Sequence, residues 1–203
     1  MAIARNTCRR GGVGKGSMLQ TNNDKVDTIV EWVKRDALRV KALKQVYDLG
    51  LPQCYIAAGF VRNLVWDALH KVEVATPLND VDVIYFDPKE RNQDSYLVYE
   101  SMLRARMPEI NWQVRNQAKM HIRNQDLPYK STLHAMQFWP EKETAVAISL
   151  TGAGHYECIA AFGFASLFSL CITHNPKRSR STFKSRIYSK GWLVQWPRLR
   201  IVE

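Results

Sequence analysis

One stretch in the first half of the chain constrains the fold more than any other, because its apolar pattern changes period twice. The short apolar run 54–58 ends at Gly59, which predicts a strand entering a turn. Across residues 61–69 the apolar side chains recur at helical spacing. The alternating run 80–86 then predicts a second strand. A strand, a glycine turn, a helix and a further strand in this order indicate a mixed α+β domain.

Apolar periodicity elsewhere adds the other elements of an α+β fold. Helical spacing predicts a helical region that ends before Gly50 and Pro52 and is divided near residues 34–36 into two shorter helices. Alternation predicts a third strand at 110–115. Further helices are expected at 95–106, 117–122, 133–138 and 165–172, and a hairpin at 144–150 and 156–160. We therefore expect a small mixed sheet with helices packed on it.

The first residues differ in composition from the rest of the chain. Residues 1–23 are rich in Gly, Arg, Asn and Ser and show no periodicity, which predicts a disordered extension. Asn23 or Asp24 supplies a helix cap at its end, so one domain is expected over residues 24–203. A chain of 203 residues is long enough for one compact domain.

The chain carries a net charge of +10, which favours polyanionic partners such as nucleic acid or nucleoside phosphates. Much of the positive excess lies at the two ends, in residues 5–15 and 177–190. Two interpretations of these ends stay open. They are solvated tails, or they are binding surfaces, with the C-terminal segment closing a cleft.

Two further features concern the compartment. No run approaches the roughly 20 apolar residues of a membrane span, and the N-terminus shows no apolar segment of a secretory signal. We therefore expect a cytoplasmic protein without a membrane partner. The four cysteines stand far apart, which argues against a zinc site or a disulfide framework and predicts free core thiols.

The chemistry of the predicted second strand lies in Asp80 and Asp82. Side chains alternate between the faces of a strand, so these two carboxylates project to the same side, with Cα atoms roughly 6–7 Å apart. Hard divalent cations such as Mg²⁺ bind carboxylate oxygens together with substrate phosphate. The pair therefore predicts a metal site, although two acids at a strand edge are also commonly just solvated.

The turn that precedes this strand predicts a phosphate site. Gly59 allows the backbone to approach a ligand closely, and the helix after it presents free N–H groups and the positive end of its dipole. A triphosphate fits such a turn, with Arg62 as an added cation. The order of turn, helix and acid-x-acid strand is the order that nucleotidyl transfer requires.

These residues resemble the signature of the DNA-polymerase-β-type nucleotidyltransferase superfamily, a small-residue turn followed by an acid-x-acid strand. The turn resembles the Gly-Gly-x-Val-Arg-Asp of tRNA nucleotidyltransferases and poly(A) polymerases, with Phe60 at the second small position and Asn63 in place of the acid. Residues 29–199 as a whole resemble a bacterial family of nucleotidyltransferase-like proteins. The motifs that carry this resemblance are Ala58–Asn63, Asn79–Val83, Trp112–His121, Pro128–Thr132, Trp139–Glu141, Phe162–Gly163 and Trp196–Leu199.

The resemblance implies a third metal-binding acid from a neighbouring strand. The outward face of the predicted strand 110–115 offers two amides and an arginine, and Glu109 lies just before it. The family pattern Gly-Leu-Asp-Asp-Leu-Phe corresponds to residues 163–168 here, where no aspartate stands. Catalysis and a non-catalytic role of the same fold therefore both stay open.

A second polar cluster follows the third predicted strand. The Asn116 amide suits recognition of a base or a ribose hydroxyl, and Lys119 suits contact with phosphate. A cap on the following helix is the structural alternative for Asn116. The tryptophans are expected to pack in the core and at its rim, with Trp192 and Trp196 as candidates for stacking on a base.

We therefore predict a nucleotidyltransferase that moves a nucleoside monophosphate from a nucleoside triphosphate to a hydroxyl acceptor and releases pyrophosphate. It depends on Mg²⁺, with Mn²⁺ as an alternative ion. The acceptor is RNA, a protein side chain or a small molecule. The alternative is a catalytically inactive protein of the same fold that binds nucleotide or nucleic acid. The predicted catalytic and metal-binding residues are Asp80 and Asp82, and the predicted nucleotide-binding residues are Gly59, Phe60, Arg62, Asn116 and Lys119.

Overall fold

The computed structural model describes residues 15–203, with side chains from Asn22 onward. Residues 1–14 of the predicted extension lie outside the described residues. The first helix, α1, spans Lys15–Lys34 and so begins before the predicted cap at Asn23 or Asp24. Residues 15–23 of the predicted extension therefore belong to this helix.

Helices and strands alternate through most of the chain. The helices after α1 are α2 Ala37–Tyr47, α3 Gly59–His70, α4 Ser95–Arg106, α5 Gln117–Asn124, α6 Thr132–Met136, α7 Ala165–Phe168, α8 Arg180–Lys190 and α9 Trp192–Gln195, with a 3₁₀ helix at Lys142–Thr144. The strands are β1 Tyr55–Ala57, β2 Asp80–Tyr85, β3 Asn111–Asn116, β4 Val146–Gly152, β5 His155–Ala160, β6 Cys171–Thr173 and β7 Arg200–Val202.

Five of these strands form one mixed sheet in the order β3-β2-β1-β4-β5. Strands β2 and β3 pair in parallel, whereas the other neighbours are antiparallel. The connection between the two parallel strands carries α4, as a parallel crossover requires. The expected α+β fold with a small mixed sheet is confirmed, and so is the hairpin of β4 and β5.

The two faces of β2 differ sharply, and this difference positions the site. Val81, Val83 and Tyr85 are fully buried in the main core, where helix α3 also buries Val65 and Trp66. Each side chain of this kind contributes about 1.5–3 kcal/mol when it is fully buried. A shift of one residue in the register would exchange the two faces, so this core fixes the acids of β2 on the opposite face.

The helix break expected near residues 34–36 is present. Helix α1 ends at Lys34, and Asp36 caps α2 by accepting a hydrogen bond from the backbone N–H of Arg39 at 3.0 Å. The prediction of a single helix over 165–172 is wrong. Helix α7 ends at Phe168, Leu170 adopts a positive φ of 55°, and the chain enters β6, which pairs with β7 at the end of the chain.

None of the helices in residues 15–203 is both long and apolar enough to cross a membrane. Cys54 and Cys158 are free thiols, and both are partly buried. Burial raises the pKa of Cys54 and of Cys158 to about 12, so these two thiols stay protonated at neutral pH. Cys8 lies outside the described residues.

Candidate active site

A cleft of about 730 Å³ opens on the polar face of β2. On one side lie β2, the segment before it and the first turn of α3, which we call the acid wall because Asp80 and Asp82 are its charged pair. On the other side lies the helix α8 with the residues just before it, which we call the basic wall. Its cleft-lining residues are Arg178, Thr182, Arg186 and Lys190.

The two carboxylates of the acid wall stand in different surroundings. Asp80 is exposed, and its Oδ1 accepts a hydrogen bond from Nδ2 of Asn111 at 2.6 Å. Asp82 is partly buried, and burial raises its pKa, an effect that the cation Arg62 opposes and the charge of Asp80 adds to. Lys190 also lowers this pKa from the opposite wall. A carboxylate in this position gains from a cation bound beside it.

The acid pair fits Mg²⁺ that is shared with a substrate. Gln113 of β3 lies directly beside Asp82 in the sheet register and supplies an amide where a third carboxylate would stand. Within the described residues, no group of three or more His, Cys, Asp or Glu side chains forms a metal cluster. Mg²⁺ commonly uses one or two carboxylates and completes its shell with phosphate oxygens and water, so two acids suffice to hold it with a nucleotide.

The turn before α3 has an unusual backbone. Ala58 occupies the cap position with φ 53° and ψ −118°, a region that favours glycine, and no side chain caps the first turn. The first N–H groups of α3 therefore remain available to an anion. A Cβ on Gly59 would lie 3.4 Å from Nδ2 of Asn63, so the Asn63 side chain packs closely against this turn.

Arg62 is anchored within the floor of the cleft. Only 7% of the residue is exposed, and its Nε and Nη2 donate to Oδ1 of Asn63 at 3.2 and 2.9 Å. The guanidinium carbon lies 4.5 Å from the ring centre of Trp192 and 5.1 Å from that of Trp66. Burial lowers the pKa of Arg62 to about 10, which leaves it charged at neutral pH.

A family model described as nucleotidyltransferase matches residues 44–201, which include both walls of this cleft. The chain belongs to this nucleotidyltransferase family. One solved structure, whose title says that it reveals a CCA-adding enzyme head domain, is similar at 28% identity with a TM-score of 0.75. The match covers 85% of this chain and 93% of that one. No curated protein matches the chain.

The nucleotidyltransferase turn aligns differently from the expectation. Phe60 was predicted to stand at the second small position, but its side chain is 1% exposed, lies in the core and does not line the cleft. The strained residue is Ala58, which directly precedes Gly59. Ala58 and Gly59 therefore occupy the two small positions, and Phe60 occupies the variable one. Asn63 takes the place of the acid and holds Arg62.

The structure brings some of the predicted nucleotide-binding residues together and places others elsewhere. Gly59 and Arg62 line the same cleft as the acid pair. Asn116 is buried outside the lining, where it caps α5 and its amide donates to the backbone oxygen of Asp87, so it takes the structural alternative. Lys119 is partly buried and does not line the cleft.

The segments considered for a third acid lie away from the pair. Glu109 is exposed, and its nearest cation is Lys41 at 3.9 Å. The positions at which the family pattern has aspartates, Ala165 and Ser166, belong to α7, and neither lines the cleft. The missing aspartates therefore do not remove a ligand from the acid pair.

The two tryptophans considered for base stacking are buried. Trp192 is 3% exposed and Trp196 is 1% exposed, and both pack edge-on against Trp66. Nε1 of Trp196 donates to Oδ1 of Asp67 at 2.8 Å. The ring of Trp192 already carries the guanidinium of Arg62. These rings support the cleft floor.

The basic C-terminal segment lines the cleft through individual residues that sequence reasoning did not single out. Arg186 and Lys190 lie on one face of α8, and Arg178 precedes the helix. The signal that identifies them is their four-residue spacing together with Phe183 and Ile187, which are buried on another face. The cleft also receives Arg115 and Arg123 from β3 and α5.

Proposed function

We propose that the chain is a Mg²⁺-dependent nucleotidyltransferase, which moves a nucleoside monophosphate from a nucleoside triphosphate to a hydroxyl acceptor and releases pyrophosphate. The observation that supports this most directly is the meeting of the acid pair and the uncapped first turn of α3 in one cleft. Family membership and the similarity to a CCA-adding enzyme head domain point to the same reaction class.

In this proposal Asp80 and Asp82 hold the metal, with Mn²⁺ as an alternative ion. The bound ion would neutralise phosphate charge and activate the attacking hydroxyl. Asn111 fixes the orientation of the Asp80 carboxylate through its hydrogen bond. Backbone N–H groups at the Gly59 turn donate hydrogen bonds to the triphosphate, and Arg62 adds positive potential from the cleft floor.

The acceptor belongs to one of three classes: RNA, a protein side chain or a small molecule. The positive charges of the cleft favour substrates that carry phosphate. We further propose a cytoplasmic location, because Cys54 and Cys158 are free thiols, as is usual in a reducing compartment.

Incorporation of label tests the reaction. Purified protein is incubated with each of the four nucleoside triphosphates, labelled at the α-phosphate, with Mg²⁺ and a panel of RNA, protein and small hydroxyl acceptors. We expect wild type to transfer label and release pyrophosphate, and the Asp80→Ala/Asp82→Ala double variant to do neither. Asp27→Asn, an exposed change on α1, is the control. Equally low transfer by wild type and the double variant across the panel would refute the proposed enzymatic activity.

A second candidate is a non-catalytic protein that binds nucleotide or nucleic acid with the same cleft. The observation that favours it is Gln113, the amide beside Asp82 where a third acid would stand. This candidate predicts that wild type binds Mg²⁺ and nucleotide in calorimetry, that the Asp80→Ala/Asp82→Ala variant loses this binding, and that neither protein transfers label.

A further inference from the structure

We propose that Arg186 and Lys190 of the basic wall, and not Arg62, are the cations that contact the polyphosphate of the nucleotide. The inference rests on the proposed function for the identity of the ligand as a nucleoside triphosphate. It assigns a polyphosphate subsite to α8, a helix that lies more than a hundred residues after the glycine turn.

Helix α8 presents three faces with three separate tasks. One face lines the cleft with Thr182, Arg186 and Lys190, which follow one another at intervals of about 6 Å along the helix axis. A second face buries Phe183 and Ile187 in the core. The apolar face fixes the rotation of the helix, so the cationic face must point into the cleft.

The third face is basic as well but is directed away from the cleft. Arg180 and Lys184 lie there, and each forms an exposed ion pair with Glu203 at 3.2 Å. Neither lines the cleft. One short helix therefore carries two pairs of cations, one facing the cleft and one facing the C-terminal residue.

Arg186 is held in place by a carboxylate behind it. Glu141 is completely buried and accepts hydrogen bonds from Nε and Nη2 of Arg186 at 2.6 and 3.3 Å. Oγ1 of Thr144 donates to the same carboxylate at 3.0 Å. A guanidinium has five N–H donors, so this pairing leaves others for a ligand, and the side chain is still 37% exposed. Such a fixed, partly open guanidinium suits phosphate.

Lys190 ends α8 on the same face. It is exposed and lines the same cleft as Asp80 and Asp82. Among residues 22–203, no carboxylate lies within ion-pair distance of Lys190. A flexible ammonium beside the metal pair matches a phosphate group that the metal also contacts.

Arg62 is unsuited to the same task. The guanidinium of this buried residue lies over two tryptophan rings and donates twice to Asn63. Only 7% of Arg62 is exposed, against 37% of the Arg186 side chain, so Arg62 offers a ligand much less surface. Arg62 is instead a positioning residue that holds the first turn of α3 against the floor of the cleft.

The test measures binding of inorganic tripolyphosphate with Mg²⁺ by isothermal titration calorimetry. We expect Lys190→Ala to weaken binding about fivefold, and Arg186→Met/Glu141→Gln/Lys190→Ala to weaken it more than tenfold. Glu141→Gln is included because Arg186→Met alone would leave the buried Glu141 carboxylate without its cation. The matched control Arg180→Ala/Lys184→Ala removes two charges from the same helix and should change binding less than twofold. Thermal denaturation of each variant checks that it is folded.

Several results of this titration would overturn the subsite. They are no binding of tripolyphosphate by wild type, unchanged binding by both cleft-facing variants, or an equal loss in the matched control. Lys190→Ala removes no buried contact, so it decides the question even if the triple variant does not fold. Loss of oligonucleotide binding with unchanged tripolyphosphate binding also counts against it, because the basic wall would then hold the acceptor.

Failure of the polyphosphate subsite can be distinguished from failure of the proposed reaction. If wild type binds tripolyphosphate through Arg186 and Lys190 but transfers no label from any nucleotide, the subsite stands and the enzyme proposal fails. If wild type transfers label and the cleft-facing variants transfer it with an unchanged KM for nucleotide, the reaction stands and the subsite fails.

Discussion

The acid wall of the cleft comes from residues 58–82, whereas the basic wall comes from residues 178–190. The acid wall comes from neighbouring elements of the chain, since the antiparallel pairing of β1 with β2 places Ala57 opposite Asp82, just before the turn at Gly59. The basic wall is set by distant contacts, namely a buried apolar face of α8 and one ion pair to Glu141. The comparison teaches that a cleft can combine a locally encoded reactive side with a substrate-holding side that depends on the whole fold.

The largest expected effect separates the walls by kinetics. Asp82→Asn should lower the transfer rate about 10³-fold, because it removes a metal ligand worth several kcal/mol in the transition state. Lys190→Ala should mainly raise the KM for nucleotide. Steady-state kinetics with labelled nucleotide measures both. If Lys190→Ala lowered kcat as much as Asp82→Asn, the division of roles between the walls would be wrong.

The next effect tests how the basic wall is held. Glu141→Ala should lower the free energy of unfolding by about 2–3 kcal/mol, less than the loss of a fully buried pair because Arg186 is partly exposed. Glu203→Ala breaks two exposed ion pairs of the same helix and should cost less than about 1 kcal/mol. Urea denaturation of both variants provides the comparison, and equal losses would contradict it.

A smaller effect concerns strain in the acid wall. Ala58→Gly should stabilise the protein by about 1 kcal/mol, because glycine tolerates the positive φ of this cap and the gain exceeds the added entropy of the unfolded chain. Ala57→Gly, one residue earlier in β1, is the matched control and should destabilise. Thermal denaturation measures both changes. A loss of stability in both variants would show that Ala58 is not strained.

The smallest effect is a pH dependence without metal. Burial raises the pKa of Asp82, so the native state binds a proton more tightly than the unfolded chain does. The contribution of this residue is therefore most favourable at low pH and is lost as pH rises from the ordinary value of 3.8 through the raised pKa. In Asp82→Asn, the free energy of unfolding should therefore fall less as pH rises through this range. Urea denaturation in the presence of a chelator at several pH values measures it. The same dependence on pH in both proteins would contradict a raised pKa of Asp82.

Much of the acid wall could be predicted from the sequence. Alternation along residues 80–86 placed both aspartates on one face, and the apolar stripe after Gly59 indicated the start of a helix. The same reasoning misassigned Phe60, since the pattern of small residues does not show which residue adopts a positive φ. It also could not decide that Asn116 serves as a cap, because the amide suits both a ligand and a backbone.

The sequence by itself determined the order of the main helices and strands before residue 165, the mixed α+β class and the shared face of Asp80 and Asp82, because these follow from the local periods of helix and strand. Only the tertiary structure decided which cations meet the acids. The basic residues at 177–190 are compatible with a solvated tail until Phe183 and Ile187 find the core and Glu141 finds Arg186. Those contacts join residues far apart in the chain, and their energy exists only once the fold has formed.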